Sequence, residues 1–161
     1  MPGFTFVEYN HPEQQSSNLL EALKATCFDE RYSTELVLER DQKQLAVTRY
    51  PNYPVNVLES RKHWIFLEGI VYNKTTPQLW STLSALASCI FSSRLSNLRR
   101  RLDQLDGEFV AFFLNKKTEK WAVVNDMLGR LPLYHRIATN AFYLTREFRV
   151  FNHLSSQPDF D

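Results

Sequence analysis

Apolar and polar positions alternate from the start of the chain. Phe4 and Phe6 fall on one face and Thr5 and Val7 on the other, which predicts a strand over about 3–9. Residues 10–18 are a polar loop, and 19–26 reads as a short helix with Leu19, Leu20 and Leu23 inward. Strands are predicted over 34–40, 44–50 and 63–72, each rich in β-branched or aromatic residues and bounded by turn formers. The period then changes. Thr76-Pro77 reads as a helix start, with a hydroxyl cap and proline at the first helical position. Leu79, Trp80, Leu83, Leu86, Ala87, Ile90 and Phe91 follow at helical spacing, giving a helix over 77–91. A second helix over 94–105 carries Leu95, Leu98, Leu102 and Leu105 on one stripe, with Arg99, Arg100 and Arg101 between them. Four strands close the chain: 108–115, 120–125, 132–138 and 141–146. Residues 109–114 are apolar on both faces, as in a strand buried between layers. Strands, two helices, then strands reads as an α+β fold with mainly antiparallel sheets in a layered sandwich.

Composition narrows the function classes. The 161 residues carry 19 Lys and Arg against 18 Asp and Glu, a net charge of +1, so no general field draws nucleic acid or an anionic membrane. Three arginines make no extended footprint; Arg99–Arg101 reads as a solvated helix face. Only four glycines are present, which excludes a Walker loop and a G-x-G-x-x-G turn. Cys27 and Cys89 are the two cysteines, neither at zinc spacing, and the four histidines show no metal motif. No metal, nucleic acid or membrane is expected. No secretory leader is recognisable, and a cytoplasmic setting is the expectation. The length fits one domain. We place it at 1–154, with the polar, proline-containing 155–161 as a linker toward a missing C-terminal domain.

Four blocks carry a family resemblance. Leu105-Asp106-Gly107-Glu108-Phe109-Val110-Ala111-Phe112 resembles the L-x-G-x-F-A-F signature of asparagine synthetases. Asp126-Met127-Leu128-Gly129-Arg130-Leu131-Pro132-Leu133-Tyr134 resembles their R-D-x-x-G-x-x-P-L-Y segment, with Asn125 in place of Arg. Phe142–Glu147 is similar to the strand before their S-E-x-K-A-L, and Glu68-Gly69-Ile70-Val71-Tyr72-Asn73 resembles N-G-E-I-Y-N. The order and approximate spacing match over about 65–150. The resemblance implies a class II glutamine amidotransferase domain of the asparagine synthetase and β-lactam synthetase family. It implies a four-layer αββα sandwich, the N-terminal-nucleophile hydrolase fold. In that family the domain frees ammonia from glutamine for an ATP-dependent synthetase domain, whose S-G-G-x-D-S loop this chain lacks. ATP and Mg are therefore expected only in such a missing domain, and no cofactor in this one.

The family's nucleophile is a Cys directly after the initiator Met, with its own α-amine as base. Here that position is Pro2, which has no nucleophile. Thr5 is the nearest hydroxyl but lies inside a strand. Cys27 is the nearest thiol, and Thr26, Phe28 and Asp29 beside it offer no base. The family's oxyanion-binding Asn is replaced by Glu68, with Gly69 kept. A carboxylate cannot donate to an oxyanion, and loss of one donor costs about 10²–10³ in rate. The pocket Glu is replaced by Ile70. Arg49 stands where the substrate-carboxylate Arg could be, or is an exposed strand-end cation. Gly107, Asp126, Gly129, Pro132 and Tyr134 are read as fold residues.

These losses imply a degenerate glutaminase-like domain, inactive by itself, within an amide-forming enzyme. Its expected role is structural, docking on a synthetase domain in cis or trans or in a homodimer. The rivals are an active amidotransferase with shifted catalytic residues, and a free-standing module that binds glutamine or another small amide. A buried Glu68 needs a cationic or multiple-donor partner, for which Arg49 and the α-ammonium are the candidates. The alternative is that its strand turns it to water.

Overall fold

The computed structural model describes residues 2–11, 18–92 and 96–154. It is α+β, with two antiparallel sheets, each in its own compact unit. One unit joins Met1–Tyr53 with Pro132–Asp161, and the other is Pro54–Leu131.

The first unit holds β1 (Gly3–Tyr9), α1 (Asn18–Thr26), β2 (Ser33–Arg40), β3 (Lys43–Arg49), β8 (Tyr134–Ile137) and β9 (Ala141–Thr145). Its strand order is β2-β3-β1-β9-β8, with β1 between β3 and β9. Strand alternation sends Val7, Tyr9, Ala46, Ala141 and Tyr143 to one face, where Leu19, Ala22 and Leu23 of α1 cover them. A 3₁₀ turn at Phe148–Val150 and α4 (Phe151–Leu154) add Val150 and Phe151 to that core. The opposite face is apolar too: Phe4, Phe6, Leu45 and Val47 are fully buried.

The second unit holds β4 (Val55–Glu59), β5 (His63–Val71), α2 (Thr76–Phe91), α3 (Ser96–Leu102), β6 (Gly107–Asn115) and β7 (Trp121–Asn125), with strand order β4-β5-β6-β7. Ile65, Leu67, Phe109, Ala111 and Phe113 face the helices and pack with Leu83, Leu86, Ala87 and Leu105. Burying each such large side chain contributes about 1.5–3 kcal/mol. The other face is aromatic, with Phe112 edge-on to Trp64 at 6.2 Å and stacked on Trp121 at 5.9 Å.

Four local features differ from or add to the pattern read in the sequence. The cap of α2 is Thr75, not Thr76: Thr75 is extended, and its N–H donates to Gln78 Oε1 at 3.1 Å. Pro77 thus occupies the second helical position. Strand β4 was not expected. It is an edge strand whose Val57 is 47% exposed, so it lacks the apolar alternation of its neighbours. Residues 148–154, to which the sequence pattern assigns no element, are helical. Finally, α3 ends at Leu102, because Leu105 N bonds back to the Leu102 carbonyl in a turn that leads into β6. Leu95 and the expected linker 155–161 lie outside the described residues. Among those residues, no helix is long and apolar enough to cross a membrane.

Candidate functional site

In the second unit, the sequence-derived residues gather at one end of β5 and β6. Glu68 pairs with Val110, Gly69 with Phe109, Ile70 with Glu108 and Val71 with Gly107. Strand parity puts Glu68 on the aromatic face, in line with Trp64 and Phe66, away from the helices. Its carboxyl group is 0% exposed, and it has an interaction partner inside the protein. The alternative in which Glu68 turns to water is therefore overturned. Ile70, two residues on, is 50% exposed.

Gly69 adopts φ +98°, a conformation side chains rarely take, and its N–H donates to the Pro54 carbonyl at 2.8 Å. A Cβ on Gly69 would run into the Glu108 carbonyl, and a Cβ on Gly107 into the Ile70 carbonyl. The two glycines thus allow β5 and β6 to approach closely just beyond Glu68.

Asp126 follows β7 and is buried; its N–H donates to the Phe109 carbonyl at 2.9 Å. Its Oδ1 accepts from Leu128 N at 2.9 Å, and its Oδ2 accepts from Arg130 N at 3.2 Å. One carboxylate thereby organises the turn that Gly129 completes at φ +60°. Arg130 reaches Glu108 at 3.6 Å. The resemblance-derived Asp126, Gly129, Gly69 and Gly107 thus all shape backbone around one sheet end. A cavity of 310 Å³ lies nearby, between α3 and the sheet, lined by Leu98, Leu102, Leu105, Phe109 and Met127 with Asn125. It opens on the helix-covered face, the face Glu68 does not share.

In the first unit, Pro2 is half-buried and lies one residue before the Gly3–Thr48 pair, beside the end of β3. Arg49 caps that strand end, and its guanidinium pairs with Glu35 at 2.8 Å. Glu35 sits opposite Val47, so Glu35 and Arg49 form a diagonal pair across β2 and β3. The placement is a half-exposed strand-end cation with an acidic neighbour. Thr5 is buried within β1, and its hydroxyl bonds the Thr145 hydroxyl at 2.7 Å. Thr145 Oγ1 in turn accepts from Glu147 N at 3.0 Å.

Cys27 lines an open cleft of 630 Å³ with Lys24, Phe28, Asp29 and Tyr32. Its thiol donates to the Leu23 carbonyl at 3.4 Å, and burial pushes its pKa up. A raised pKa withholds the thiolate, the opposite of an activated nucleophile. Pro132 and Tyr134 belong to the fold: Arg146 donates to the Pro132 carbonyl at 2.8 Å, and Tyr134 packs edge-on against Phe148 at 5.7 Å.

Sequence reasoning missed the Glu147–Arg149 pair. Arg149 Nε and Nη2 donate to the two oxygens of the buried Glu147 carboxylate at 2.9 and 2.8 Å. This fork holds the Glu147 pKa down at about 2. Glu147 also accepts from Arg149 N and caps the 3₁₀ turn. The spacing Glu-x-Arg after a strand was the available signal. Among the described residues, no three His, Cys, Asp or Glu side chains converge as a metal site.

No protein-family model matches the chain, and no curated protein matches it.

Proposed function

We propose that this chain is a catalytically degenerate glutaminase-like domain of an asparagine-synthetase-like, ATP-dependent amide-forming enzyme, with a structural or docking role. The observation that carries the reading is Glu68: a fully buried carboxylate, followed by a positive-φ glycine, at the position where the resembled family has its oxyanion-binding Asn-Gly. A carboxyl side chain there lacks the amide N–H that the family's Asn donates to the negative charge developing during amide hydrolysis. The half-buried Pro2 supplies no nucleophile, the buried Thr5 hydroxyl is tied to Thr145, and the Cys27 thiol is held protonated.

The finer fold belongs to the same proposal. Each sheet has one face covered by its own helices and a second face rich in buried apolar side chains, as in Phe4, Phe6 and Leu45 of one and Trp64, Phe66 and Phe112 of the other, with Glu68 the buried acid among the latter. A four-layer αββα sandwich of the N-terminal-nucleophile hydrolase type uses two such sheets. The retained Gly107, Asp126, Gly129, Pro132 and Tyr134 have backbone-shaping or packing roles, which supports a scaffold kept after its chemistry is gone. The proposed partner is a synthetase domain, in cis or trans, with ATP and Mg bound there; a homodimer is the alternative docking arrangement.

The test has two arms. Reading the coding sequence beyond Asp161 and in adjacent genes should reveal an S-G-G-x-D-S loop. That synthetase domain, co-expressed with this chain, should co-purify with it in a fixed ratio. A chain that releases ammonia from glutamine, or a synthetase that ignores it, overturns the reading.

A further inference from the structure

We infer that the end of the second unit's sheet opposite Glu68 carries a binding site for a phosphate-class polyanion on a small molecule. The β4–β5 turn and the β6–β7 turn meet there around a cleft of 380 Å³ lined by Arg61, Lys62, His63, Asn115, Lys117 and Thr118. The volume is within the usual range of small-ligand sites. Arg61, Lys62 and Lys117 are exposed at its rim.

Both turns are held in place. Lys116 N donates to the Lys62 carbonyl at 2.9 Å, tying one turn to the other. Ser60 Oγ accepts from His63 N at 3.0 Å, closing the first turn. Asn115 Oδ1 accepts from Lys117 N at 3.0 Å and Thr118 N at 3.1 Å, closing the second. With its oxygen so used, the Asn115 side chain has only its amide N–H groups to offer a ligand.

Charge decides the ligand class. Glu59 bonds the Lys116 ammonium at 2.5 Å, so that acid and that cation offset each other at the edge. Lys120 is a further exposed cation, and Glu119, next to it in sequence, a further acid. Arg61, Lys62 and Lys117 remain as a surplus of positive charge in a chain whose net charge is only +1. The His63 ring stacks on Phe91 at 5.6 Å, and burial lowers its pKa, so the cleft floor is a neutral imidazole. Three cations, amide and hydroxyl donors and a neutral floor suit a compact multiply charged anion. A pair of rigid facing turns suits a small molecule and not a duplex, because the footprint is one cleft wide.

The site is independent of the glutaminase-like reading. Strand β5 runs nine residues from His63 to Val71, and the five steps of about 3.3 Å from His63 to Glu68 place Glu68 far from the cleft.

Titration of the full chain with inorganic pyrophosphate at low salt, followed by calorimetry and amide NMR shifts, tests it. Saturable binding with shifts confined to 60–63 and 115–118 is expected. The Lys62→Gln, Lys117→Gln double variant should weaken it about tenfold or more, with its fold unchanged by circular dichroism. Citrate and chloride at matched ionic strength should bind more weakly. Absence of saturation, equal binding by the double variant, shifts elsewhere or tighter citrate binding would each overturn the inference. A single-stranded oligonucleotide bound more tightly than pyrophosphate would also overturn it, by making the partner a nucleic acid.

Discussion

The Glu108 carbonyl oxygen occupies the space that a Cβ on Gly69 would need. Gly69 also sits at φ +98°, where a side chain is strained whatever the space. Gly107 faces the Ile70 carbonyl in the same way but without a positive φ. Gly129, at φ +60°, meets only the Asn125 side chain, at 3.3 Å.

The three glycines therefore rank. Gly69→Ala should lose about 3 kcal/mol or more, since strain and backbone collision add. Gly107→Ala should lose about 2 kcal/mol, and Gly129→Asn under about 1 kcal/mol, because Asn tolerates the left-handed region. Urea denaturation of the three variants measures the order; Gly129→Asn as the worst of them would contradict it.

Acid should expose the Glu147–Arg149 pair. Glu147 has its folded pKa lowered from 4.5 to about 2, first by the Arg149 hydrogen bonds. The carboxylate form is thus favoured by folding. That stability is fully present above pH 4.5 and is lost as pH falls from about 4.5 toward about 2. Arg149 is 43% exposed, so solvent screening reduces the contribution to about 1–2 kcal/mol. Comparing unfolding free energies at pH 6 and pH 3 for the native chain and Glu147→Gln checks this. The variant should show the smaller drop.

The Asp126 carboxylate should act as a turn organiser. Asp126→Ala leaves the Leu128 and Arg130 N–H groups without their acceptor and should cost about 1–3 kcal/mol. Asp126→Asn keeps one acceptor oxygen and should cost less. Limited proteolysis should cut the Ala variant faster between 126 and 131. Equal cutting in both variants would mean the turn is held by something else.

The Cys27 thiol should react slowly. Its raised pKa leaves less thiolate at neutral pH than an unperturbed cysteine has. Iodoacetamide at pH 7.5 should label it more slowly than free glutathione, with the rate climbing as pH passes about 9. Faster labelling than glutathione would reinstate Cys27 as a candidate nucleophile.

The long apolar elements were legible because their alternation or helical period is carried by many residues at once. Strand β5 and helix α2 are examples. The edge strand β4 was not, since Val55–Glu59 buries little and its pairing with β5 is not a local property. The cap at Thr75 was readable in principle: Gln78 stands three residues later, the spacing of a capping box. The burial of Glu68 follows from its parity with Trp64 and Phe66. Its burial is costly enough that parity alone did not decide against an exposed side chain. The Arg49–Glu35 pair required the cross-strand register of β2 and β3, which no pattern within either strand contains. The Gly69–Glu108 approach likewise depends on how β5 and β6 align.

Ammonia release from glutamine, measured with the purified chain against a no-enzyme control, tests the degenerate reading most directly. No release above the control is expected for the native chain, and none for Pro2→Cys, because Glu68 remains at the oxyanion position. Sustained turnover by the native chain, or rescue by Pro2→Cys with Glu68 in place, would contradict it.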